Sequence, residues 1–452
     1  MGKTLPTDFL RSTESLFGTE RFARFMDAMD EEPPVSIRVN GGKVDSEKLI
    51  VKSEELIVDS EKFRVPWCPY GFYLPRRPAF TFDPLLHAGC YYVQEAASQF
   101  IVHSARSAIH SASCTVNHAL DLCAAPGGKS TALRSVFPPE CLLVSNEPVR
   151  TRAQILSENI QKWGHDNCLV TNNYAGDFVR SGLKELFDLI VCDVPCSGEG
   201  MFRKDPASIE EWSTDNVAKC QQLQRQIVSD ICPCLHPGGI LIYSTCTYNI
   251  KENEENVRWL QEQKGANIIE VPTLPEWGIT GSLLPALNAP IYRFIPGLTR
   301  SEGLFMAVLR KPGETTAGGA SPMPKAKVAQ ALSRLNVLHS SFPSVTLART
   351  GKGNQRQEAP SCAEALSVNL DLGKYPIVQL PYPTAIAYLR REAIVLPEDT
   401  PKGYVVVAFH GHPLGFVKNI GSRANNLYPR EWAIKSSHVP TDYEPVSEML
   451  IL

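Results

Sequence analysis

The sequence predicts an α/β protein whose main domain is a parallel sheet with helices on both faces, preceded by a small α/β unit and followed by a β-rich unit. From about residue 118, apolar runs of strand length alternate with segments of helical periodicity, which is typical of a parallel sheet. After Pro312 this alternation gives way to small residues and prolines. With 452 residues, of which 43% are hydrophobic and 21% charged, the chain has the composition of a globular protein with several domains.

The first 100 residues are predicted to form the small α/β unit. The segments "DFLRSTESLF" and "ERFARFMDAM" have the apolar spacing of helices. After Pro33 and Pro34, the segment "VSIRVN" alternates apolar and polar residues, which indicates a short strand. We therefore place a first domain at residues 1–100.

The second predicted domain covers residues 101–312. The segment "HALDLCAAPGGKSTALRSVF" has the order strand, glycine loop, helix, and "CLLVSNEPVRTRAQILSENIQKWG" follows as a strand and an amphipathic helix that ends at Gly164. Further strands are predicted in "LFDLIVCDVPCS", "HPGGILIYSTCT" and "GLFMAVLRK". In such a sheet, ligands bind beyond the carboxyl ends of the strands.

Three segments are predicted after Pro312. The composition of "GETTAGGASPMPKAK" is that of a linker, placed at 313–327. Residues 328–385 form an intermediate subdomain, with a helix in "KVAQALSRLNV" and a polar stretch containing Arg349, Lys352 and Arg356. Residues 386–452 form the β-rich domain, with a hairpin in "GYVVVAFHGHPLGFVKNI".

Composition also limits the class of protein. No segment approaches the roughly 18 consecutive apolar residues of a membrane span. The net charge of -3 gives no overall attraction to nucleic acid, so an RNA partner would be held by a local patch. The 13 cysteines are scattered without paired zinc-ligand spacing, which fits a reducing compartment and argues against structural zinc. We expect a cytoplasmic, metal-free monomer.

The glycine loop "DLCAAPGGKS" is the first candidate binding element. It follows a strand and opens a helix, where free backbone N–H groups favour an anionic group. It is neither G-x-G-x-x-G nor a Walker loop, because Cys123 stands where the Walker pattern requires glycine. Glu147 ends the next strand, about twenty residues on, where an acid commonly binds ribose hydroxyls. Alone, each feature could be a bare turn or a helix start. Together they favour a nucleoside ligand such as S-adenosylmethionine.

Two cysteines follow neighbouring predicted strands. Cys196 comes after "DLIVCDVPC" and Cys246 after "ILIYSTC", and Asp193 lies at the same rim of the sheet. Other cysteines, such as Cys123, are more simply explained as inert thiols. A thiolate that adds to the 6-position of a pyrimidine activates its 5-position toward methylation, an acid holds the developing charge, and a base then allows the thiol to leave. Two thiols and an aspartate could supply these roles.

Several motifs together are identified with a known family. The segments "DLCAAPGGKS", "SNEPVRTRAQIL", "CDVPCSGEGMFRKDP", "YSTCTYNIKENEENV" and "EGLFMAVLRK" resemble the RNA cytosine 5-methyltransferase family. The segments "CSGEGMFRKDP", "YYVQEAASQF" and "GFVKNIGSRANNLYPREWAI" are similar, more particularly, to the bacterial 16S ribosomal RNA methyltransferase F group. The likeness runs in order across most of the chain.

The resemblance implies a Rossmann-like, S-adenosylmethionine-dependent methyltransferase domain, an N-terminal RNA-contacting subdomain and a C-terminal PUA-like domain, acting on small-subunit ribosomal RNA. It implies that Cys246 is the nucleophile, that Cys196 assists product release, and that Asp193 contacts the cytosine at the edge of the cofactor site. The adenine would meet either Asn173 or Asp177. The remaining cofactor residues implied are Cys123, Ala124, Ala125, Pro126, Gly127, Gly128, Lys129, Glu147 (ribose) and Arg152 (bracing).

Basic and aromatic residues outside these motifs have less certain roles. Arg203 and Lys204 of "MFRKDP" are placed to hold phosphates. For other basic residues, a surface position without a role in RNA binding is the competing interpretation; these are Arg38, Arg76, Arg77, Lys418, Arg423 and Arg430. Tyr428 and Trp432 could stack on bases, but packing within the β-rich domain is the preferred interpretation.

Three other functions are alternatives. A dinucleotide-dependent redox enzyme would use a Cys192–Cys196 disulfide, but the missing G-x-G-x-x-G argues against it. A ribosome-assembly protein could bind RNA without catalysis, although both thiols and Asp193 are present. A DNA cytosine methyltransferase would attack with the Pro-Cys thiol and would not be expected to carry a second thiol at Cys246.

Overall fold

The computed structural model describes residues 4–44, 63–112, 115–285, 287–313, 323–345, 359–436 and 438–439. The predicted polar stretch with Arg349, Lys352 and Arg356 lies outside these residues. Within the described ranges, no helix is both long enough and apolar enough to cross a membrane. Three sheets, each with its own helices, make up the described chain.

The N-terminal part is a helical hairpin followed by a small antiparallel sheet. Its elements are α1 (Thr7–Phe17), α2 (Thr19–Met29), β1 (Val35–Val39), β2 (Gly71–Leu74), α3 (Pro84–His87) and β3 (Tyr91–Val93). Strand β1 lies between β2 and β3 and pairs antiparallel with both. The two predicted helices and the predicted strand are confirmed.

The central domain is a mostly parallel sheet. Its elements are α4 (Phe100–Ala112), β4 (His118–Asp121), α5 (Gly128–Arg134), β5 (Leu142–Asn146), α6 (Arg150–Trp163), β6 (Cys168–Thr171), α7 (Ala175–Arg180), β7 (Phe187–Asp193), α8 (Pro206–Glu211), α9 (Thr214–Ile231), β8 (Leu235–Thr245), α10 (Glu254–Lys264), β9 (Asn267–Ile268), β10 (Tyr292–Phe294), β11 (Leu304–Arg310), α11 (Lys325–Leu332) and β12 (Val337–Ser340). The strand order is β10-β11-β8-β7-β4-β5-β6-β12, and β9 pairs with β11. The five strands from β8 to β6 in this order run parallel.

The chain changes direction across the sheet at the boundary of β4 and β7. From β4 it proceeds outward through β5 and β6, then returns to β7 and continues through β8 on the other side. Ligand sites of doubly wound sheets lie at such a switch point, beyond the carboxyl ends of the strands. The loops that follow β4, β5, β7 and β8 therefore meet at one rim.

Both faces of the sheet are covered, as predicted. Alternate residues of a strand point to opposite faces. Ala119 of β4 and Leu189 of β7 join one buried cluster with residues of α4 and α5. Their neighbours Leu120 and Ile190 join a second cluster with residues of α9 and α10. The fold class predicted from the alternating pattern is confirmed.

The region after Pro312 differs from the predicted division. Helix α11 begins at Lys325, inside the predicted linker 313–327. Strand β12 lies in the predicted intermediate subdomain, yet it pairs antiparallel with β6 at the edge of the central sheet. Cys362 and Leu366, from the same predicted subdomain, pack in the core of the C-terminal domain. The described part of 328–385 is thus shared between its two neighbours, because a four-residue edge strand carries too weak a pattern to be assigned to a sheet.

The C-terminal domain is a four-stranded sheet with short helices. Its elements are α12 (Cys362–Ala365), β13 (Ile377–Gln379), α13 (Tyr382–Leu389), β14 (Gly403–Phe409), β15 (His412–Asn419) and β16 (Ala424–Asn426). The predicted hairpin is confirmed as the antiparallel pair β14 and β15. Tyr428 and Trp432 are buried, their rings contact each other, and they belong to one hydrophobic cluster with Ile37 and Val39 of the N-terminal sheet, which confirms packing as their role.

Candidate active site

The glycine loop connects β4 to α5 at the switch point. Gly127 precedes the first residue of α5 with φ of 117°, a left-handed conformation that glycine adopts without strain. The backbone N–H of Ala124 donates to the carbonyl oxygen of Asn146 over 2.8 Å, which fixes the loop to the end of β5. The loop and the residue after β5 therefore face the same space.

Arg38 is a buried residue that forms hydrogen bonds with the first turn of α5, directly after this loop. It is fully buried, and its guanidinium donates to Thr131 Oγ1 over 2.5 Å and to Gln94 Oε1 over 2.8 Å. The same group also donates to the carbonyl oxygen of Gly128 and lies 4.6 Å from the ring centroid of Trp163. The surface interpretation of Arg38 is therefore wrong. Its partners are far away in the sequence, so the local segment does not indicate that the arginine is buried.

Glu147 provides the clearest sign that this rim of the sheet binds a ligand. Its side chain is buried at the end of β5, and Oε1 accepts a hydrogen bond from the backbone N–H of Val149 over 3.0 Å. Oε2 has no hydrogen-bond partner within the described residues, although the Arg152 Nη2 atom lies 3.7 Å away. Arg152 also donates to the carbonyl oxygen of Ala125 over 3.1 Å. A buried carboxylate oxygen without a donor fits a ligand hydroxyl at this position.

The two residues considered for the adenine have different surroundings. Asn173 Oδ1 accepts from the backbone N–H of Asn336 over 3.0 Å, which ties it to the segment before β12. Asp177 caps its own helix: it accepts from the backbone N–H of Tyr174 over 2.8 Å and pairs with Arg180. Which of the two contacts the adenine stays a prediction.

The two predicted thiols meet at the rim of the sheet. The Sγ atoms of Cys196 and Cys246 are 3.1 Å apart, and the backbone N–H of Cys246 is 3.3 Å from the Cys196 sulfur. The hydrogen bond with Cys246, together with burial, raises the pKa of Cys196 well above its usual value. Cys196 therefore keeps its proton at neutral pH and can donate it toward the Cys246 sulfur.

Asp193 lies beside the thiols and has two charged or polar partners. Lys129 Nζ donates to Oδ2 over 2.8 Å, and Ser244 Oγ donates to Oδ1 over 2.6 Å. Burial disfavours the charge of Lys129, but the adjacent Asp193 outweighs this effect and the pKa of Lys129 is raised. Lys129, predicted only as part of the cofactor loop, thus links that loop to the thiol side of the site.

Arg203 and Lys204 differ in their exposure. Arg203 is buried and pairs with Glu302 over 2.9 Å, and it also donates to the carbonyl oxygen of Ala28 over 2.7 Å. A phosphate cannot reach a guanidinium held in this way, so the predicted phosphate contact of Arg203 is wrong. Lys204 is exposed and lies 3.9 Å from Glu302. Its predicted role remains compatible with its position.

Two buried glutamates near the thiols were missed from the sequence. Glu199 accepts from the backbone N–H groups of Tyr248 over 2.7 Å and Asn249 over 2.9 Å. Glu252 accepts from the backbone N–H of Ser197 over 3.0 Å. Glu199 lies in the motif "CSGEG" and Glu252 in the motif "YNIKENEENV". Both segments are polar, and an acidic residue in a polar segment is expected at the surface, so the sequence does not indicate that either side chain is buried.

The redox alternative lacks structural support. Cys192 is fully buried among the apolar residues of one sheet face, whereas the Cys196 sulfur lies against Cys246. Among the described residues, no group of three or more His, Cys, Asp or Glu side chains could hold a metal ion. In the described structure Cys196 therefore contacts Cys246 and not Cys192.

Models of protein families match three parts of the chain. Residues 112–310 match the 16S rRNA methyltransferase RsmB/F model. Residues 5–96 match the N-terminal domain of 16S rRNA methyltransferase RsmF, and residues 375–434 match the methyltransferase RsmF PUA domain. These segments correspond to the N-terminal unit, the central sheet and the C-terminal sheet described above.

Solved structures share the fold. NSun6 from Pyrococcus horikoshii, solved with SFG, superimposes with a TM-score of 0.55 at 20% identity and covers 70% of this chain and 100% of that chain. A methyltransferase homolog protein from Pyrococcus horikoshii gives a TM-score of 0.52 at 25% identity, over 68% of this chain and 100% of that chain.

Curated relatives match over most of their length. Ribosomal RNA small subunit methyltransferase F of Escherichia coli O17:K52:H18 is 30% identical over 429 residues, covering 81% of this chain and 84% of that protein. The protein of the same name from Shigella flexneri serotype 5b is also 30% identical, over 427 residues, with the same coverage. The chain therefore belongs to the ribosomal RNA small subunit methyltransferase F family, within the RsmB/F group of 16S rRNA methyltransferases.

Proposed function

We propose that this protein transfers a methyl group from S-adenosylmethionine to the 5-position of a cytosine in small-subunit ribosomal RNA. The observation that carries the proposal is the pair of thiols, 3.1 Å apart, at the carboxyl ends of adjacent strands. Asp193 lies at the same rim. The names of the relatives supply the substrate class, ribosomal RNA of the small subunit.

The cofactor residues are those around the glycine loop. The loop from Cys123 to Lys129 would hold the methionine part, Glu147 the ribose hydroxyls, and Arg152 would brace both. The partnerless Oε2 of Glu147 supports this arrangement, because a ribose hydroxyl can donate to it. When bound, S-adenosylmethionine supplies an electrophilic methyl group on a sulfonium.

Cys246 would begin the reaction as a thiolate that adds to the 6-position of the cytosine. A sulfur–carbon bond would form, and the electron pair of the ring double bond would move to the 5-position, which would take the methyl group as the bond from that methyl group to the sulfonium sulfur breaks. Asp193, paired with Lys129, would contact the cytosine and stabilise the charge that develops on the ring.

Cys196 would assist release. A base removes the proton from the 5-position, the ring double bond reforms, and the bond between Cys246 and the ring breaks. Cys246 leaves as a thiolate, and the thiol of Cys196, 3.1 Å from the departing sulfur, lies where it can donate a hydrogen bond or its proton to that sulfur. The base must leave its stack to reach these groups, so the N-terminal and PUA domains are proposed to hold the flanking RNA.

The first test is a map of 5-methylcytosine in small-subunit ribosomal RNA from cells with and without this protein. We expect one or more sites to lose methylation without it and to regain it with the wild-type chain but not with Cys246→Ala. Cys232→Ala, a cysteine far from the rim, is the matched control and should restore methylation. An unchanged map would instead favour a non-catalytic RNA-binding assembly protein.

A further inference from the structure

Glu252 is a buried acid that the proposed chemistry does not use. It precedes α10, is fully buried, and lies between the loop that carries Cys196 and the loop that carries Cys246. Its burial is unfavourable for a charged group, so its contacts require an explanation. They connect the two loops.

The backbone of Glu252 is tied to the strand and loop of Cys246. Tyr243, three residues before Cys246, donates its hydroxyl to the carbonyl oxygen of Glu252 over 2.6 Å. The backbone N–H of Glu252 donates to Oδ1 of Asn249, three residues after Cys246, over 2.9 Å. The position of Glu252 is therefore fixed relative to Cys246.

The carboxylate of Glu252 holds the loop of Cys196 from both sides. Oε2 accepts from the backbone N–H of Ser197, the residue after Cys196, over 3.0 Å. The same oxygen accepts from Gln224 Nε2 over 2.6 Å, and this amide also donates to the carbonyl oxygen of Pro195, the residue before Cys196, over 2.9 Å. Cys196 is thus flanked by two contacts that lead to one carboxylate.

The contacts favour a carboxylate over an amide. Asn249 Nδ2 donates to Oε1 over 2.8 Å, so that three donors converge on the two oxygens. A glutamine would present an N–H₂ group to one of these donors and lose a hydrogen bond. Burial raises the pKa of Glu252, and the hydrogen bonds from Ser197 and Asn249 oppose that shift. The carboxylate is the form whose oxygens accept from all three donors.

We infer that Glu252 is a positioning residue that holds Cys196 against Cys246 for the release step. This inference rests on the proposed function. Without the carboxylate, the Pro195–Ser197 segment can move away from the loop of Cys246, and the 3.1 Å contact between the sulfurs is lost. Addition of Cys246 to the base would continue, whereas release would slow.

The test compares Glu252→Gln with Glu255→Gln in the full-length protein, using S-adenosylmethionine and small-subunit ribosomal RNA. Glu255, the second residue of α10, is a matched control, because its carboxylate accepts from Gln221 and, among the described residues, takes no part in the hydrogen bonds that join Glu252 to the loop of Cys196. For Glu252→Gln we expect kcat to fall at least about tenfold, KM for the RNA to fall with it because the slowed step follows formation of the covalent bond, and a protein–RNA adduct to accumulate on a denaturing gel. Glu255→Gln should match the wild type.

A second background isolates the dependence on Cys196. Cys196→Ala should trap the adduct, and adding Glu252→Gln should change neither its yield nor its rate of formation, because both changes act on one step. A further loss in the double variant, a raised KM for S-adenosylmethionine, or equal behaviour of Glu252→Gln and Glu255→Gln would overturn the inference. If Glu252→Gln does not fold, Gln224→Met should show a smaller decrease in kcat and a smaller accumulation of the adduct. An unchanged kcat in Gln224→Met would count against the proposed role of Glu252.

Failure of the proposed function gives a different result. In that case the wild type transfers no methyl group and Cys196→Ala forms no adduct. If both of those reactions occur and Glu252→Gln resembles Glu255→Gln, only the role of Glu252 is rejected.

Discussion

The cofactor side and the thiol side of the rim differ in how completely their buried polar atoms are paired. On the cofactor side, Glu147 Oε2, Asp121 Oδ1 and Ser145 Oγ have no hydrogen-bond partner in the described part of the chain. On the thiol side, both oxygens of Asp193 and of Glu252 accept hydrogen bonds. We propose that a ligand supplies the donors on the cofactor side, whereas the acceptors of Asp193 and Glu252 on the thiol side are already paired within the protein.

This difference matches what each side is proposed to do. A cofactor must bind and leave, so donors on the ligand can satisfy acceptors that the protein leaves open. Groups that stabilise developing charge work best when they are already oriented, because no reorganisation is then needed during the reaction. The thiol side should therefore respond to substitution in kcat, and the cofactor side in KM.

Asp193→Asn should give the largest effect among the residues around the thiols. It removes the charge that pairs with Lys129 and leaves that ammonium group buried without its anion. We expect kcat to fall on the order of 100- to 1000-fold, measured by methyl transfer to RNA. Ser244→Ala, which removes the other donor to Asp193, should lose much less. A raised KM for S-adenosylmethionine with an unchanged kcat would assign Asp193 to the cofactor side instead.

Arg203→Met should show that the thiol side is held by buried ion pairs. Arg203 and Glu302 are both almost entirely buried, and removal of the guanidinium leaves Glu302 without its main partner. We expect the free energy of unfolding to fall by about 3–5 kcal/mol, measured by chemical denaturation. Lys204→Met, one residue further on and exposed, should leave stability unchanged and weaken RNA binding. Equal stability of the two variants would show that the ion pair contributes little.

Glu147→Gln should affect the cofactor side alone. The substitution replaces Oε2, the carboxylate oxygen that lacks a donor, and leaves Oε1 to accept from Val149, so the free energy of unfolding should not decrease. Calorimetric titration should show S-adenosylmethionine binding weakened about tenfold, while kcat at saturating cofactor stays near the wild-type value. Glu140→Gln, an exposed acid away from the loop, serves as the control. A loss of kcat without weaker binding would contradict the division between the two sides.

The sequence was informative where function depends on strand ends. Alternating strands and helices predicted a parallel sheet, and adjacent strand ends then bring Cys196 and Cys246 together. The main features of the site follow from this topology. The same pattern placed Glu147 at the end of the second strand of the sheet.

The sequence was uninformative where a buried charge depends on a distant partner. Arg38 donates to residues 56 and 93 positions away, and Arg203 to a residue 99 positions away. In a local segment such arginines resemble surface residues. Glu252 was missed for a similar reason, because two of the three donors to its carboxylate, Ser197 and Gln224, are 55 and 28 positions away.

The roles of the two thiols are tested most directly by locating the covalent bond to RNA. Cys196→Ala is incubated with S-adenosylmethionine and small-subunit ribosomal RNA, the RNA is digested, and the modified peptide is identified by mass spectrometry. We expect the nucleotide remnant on Cys246 in Cys196→Ala and no adduct in Cys246→Ala. An adduct on Cys196 in Cys246→Ala, with none in Cys196→Ala, would reverse the proposed roles.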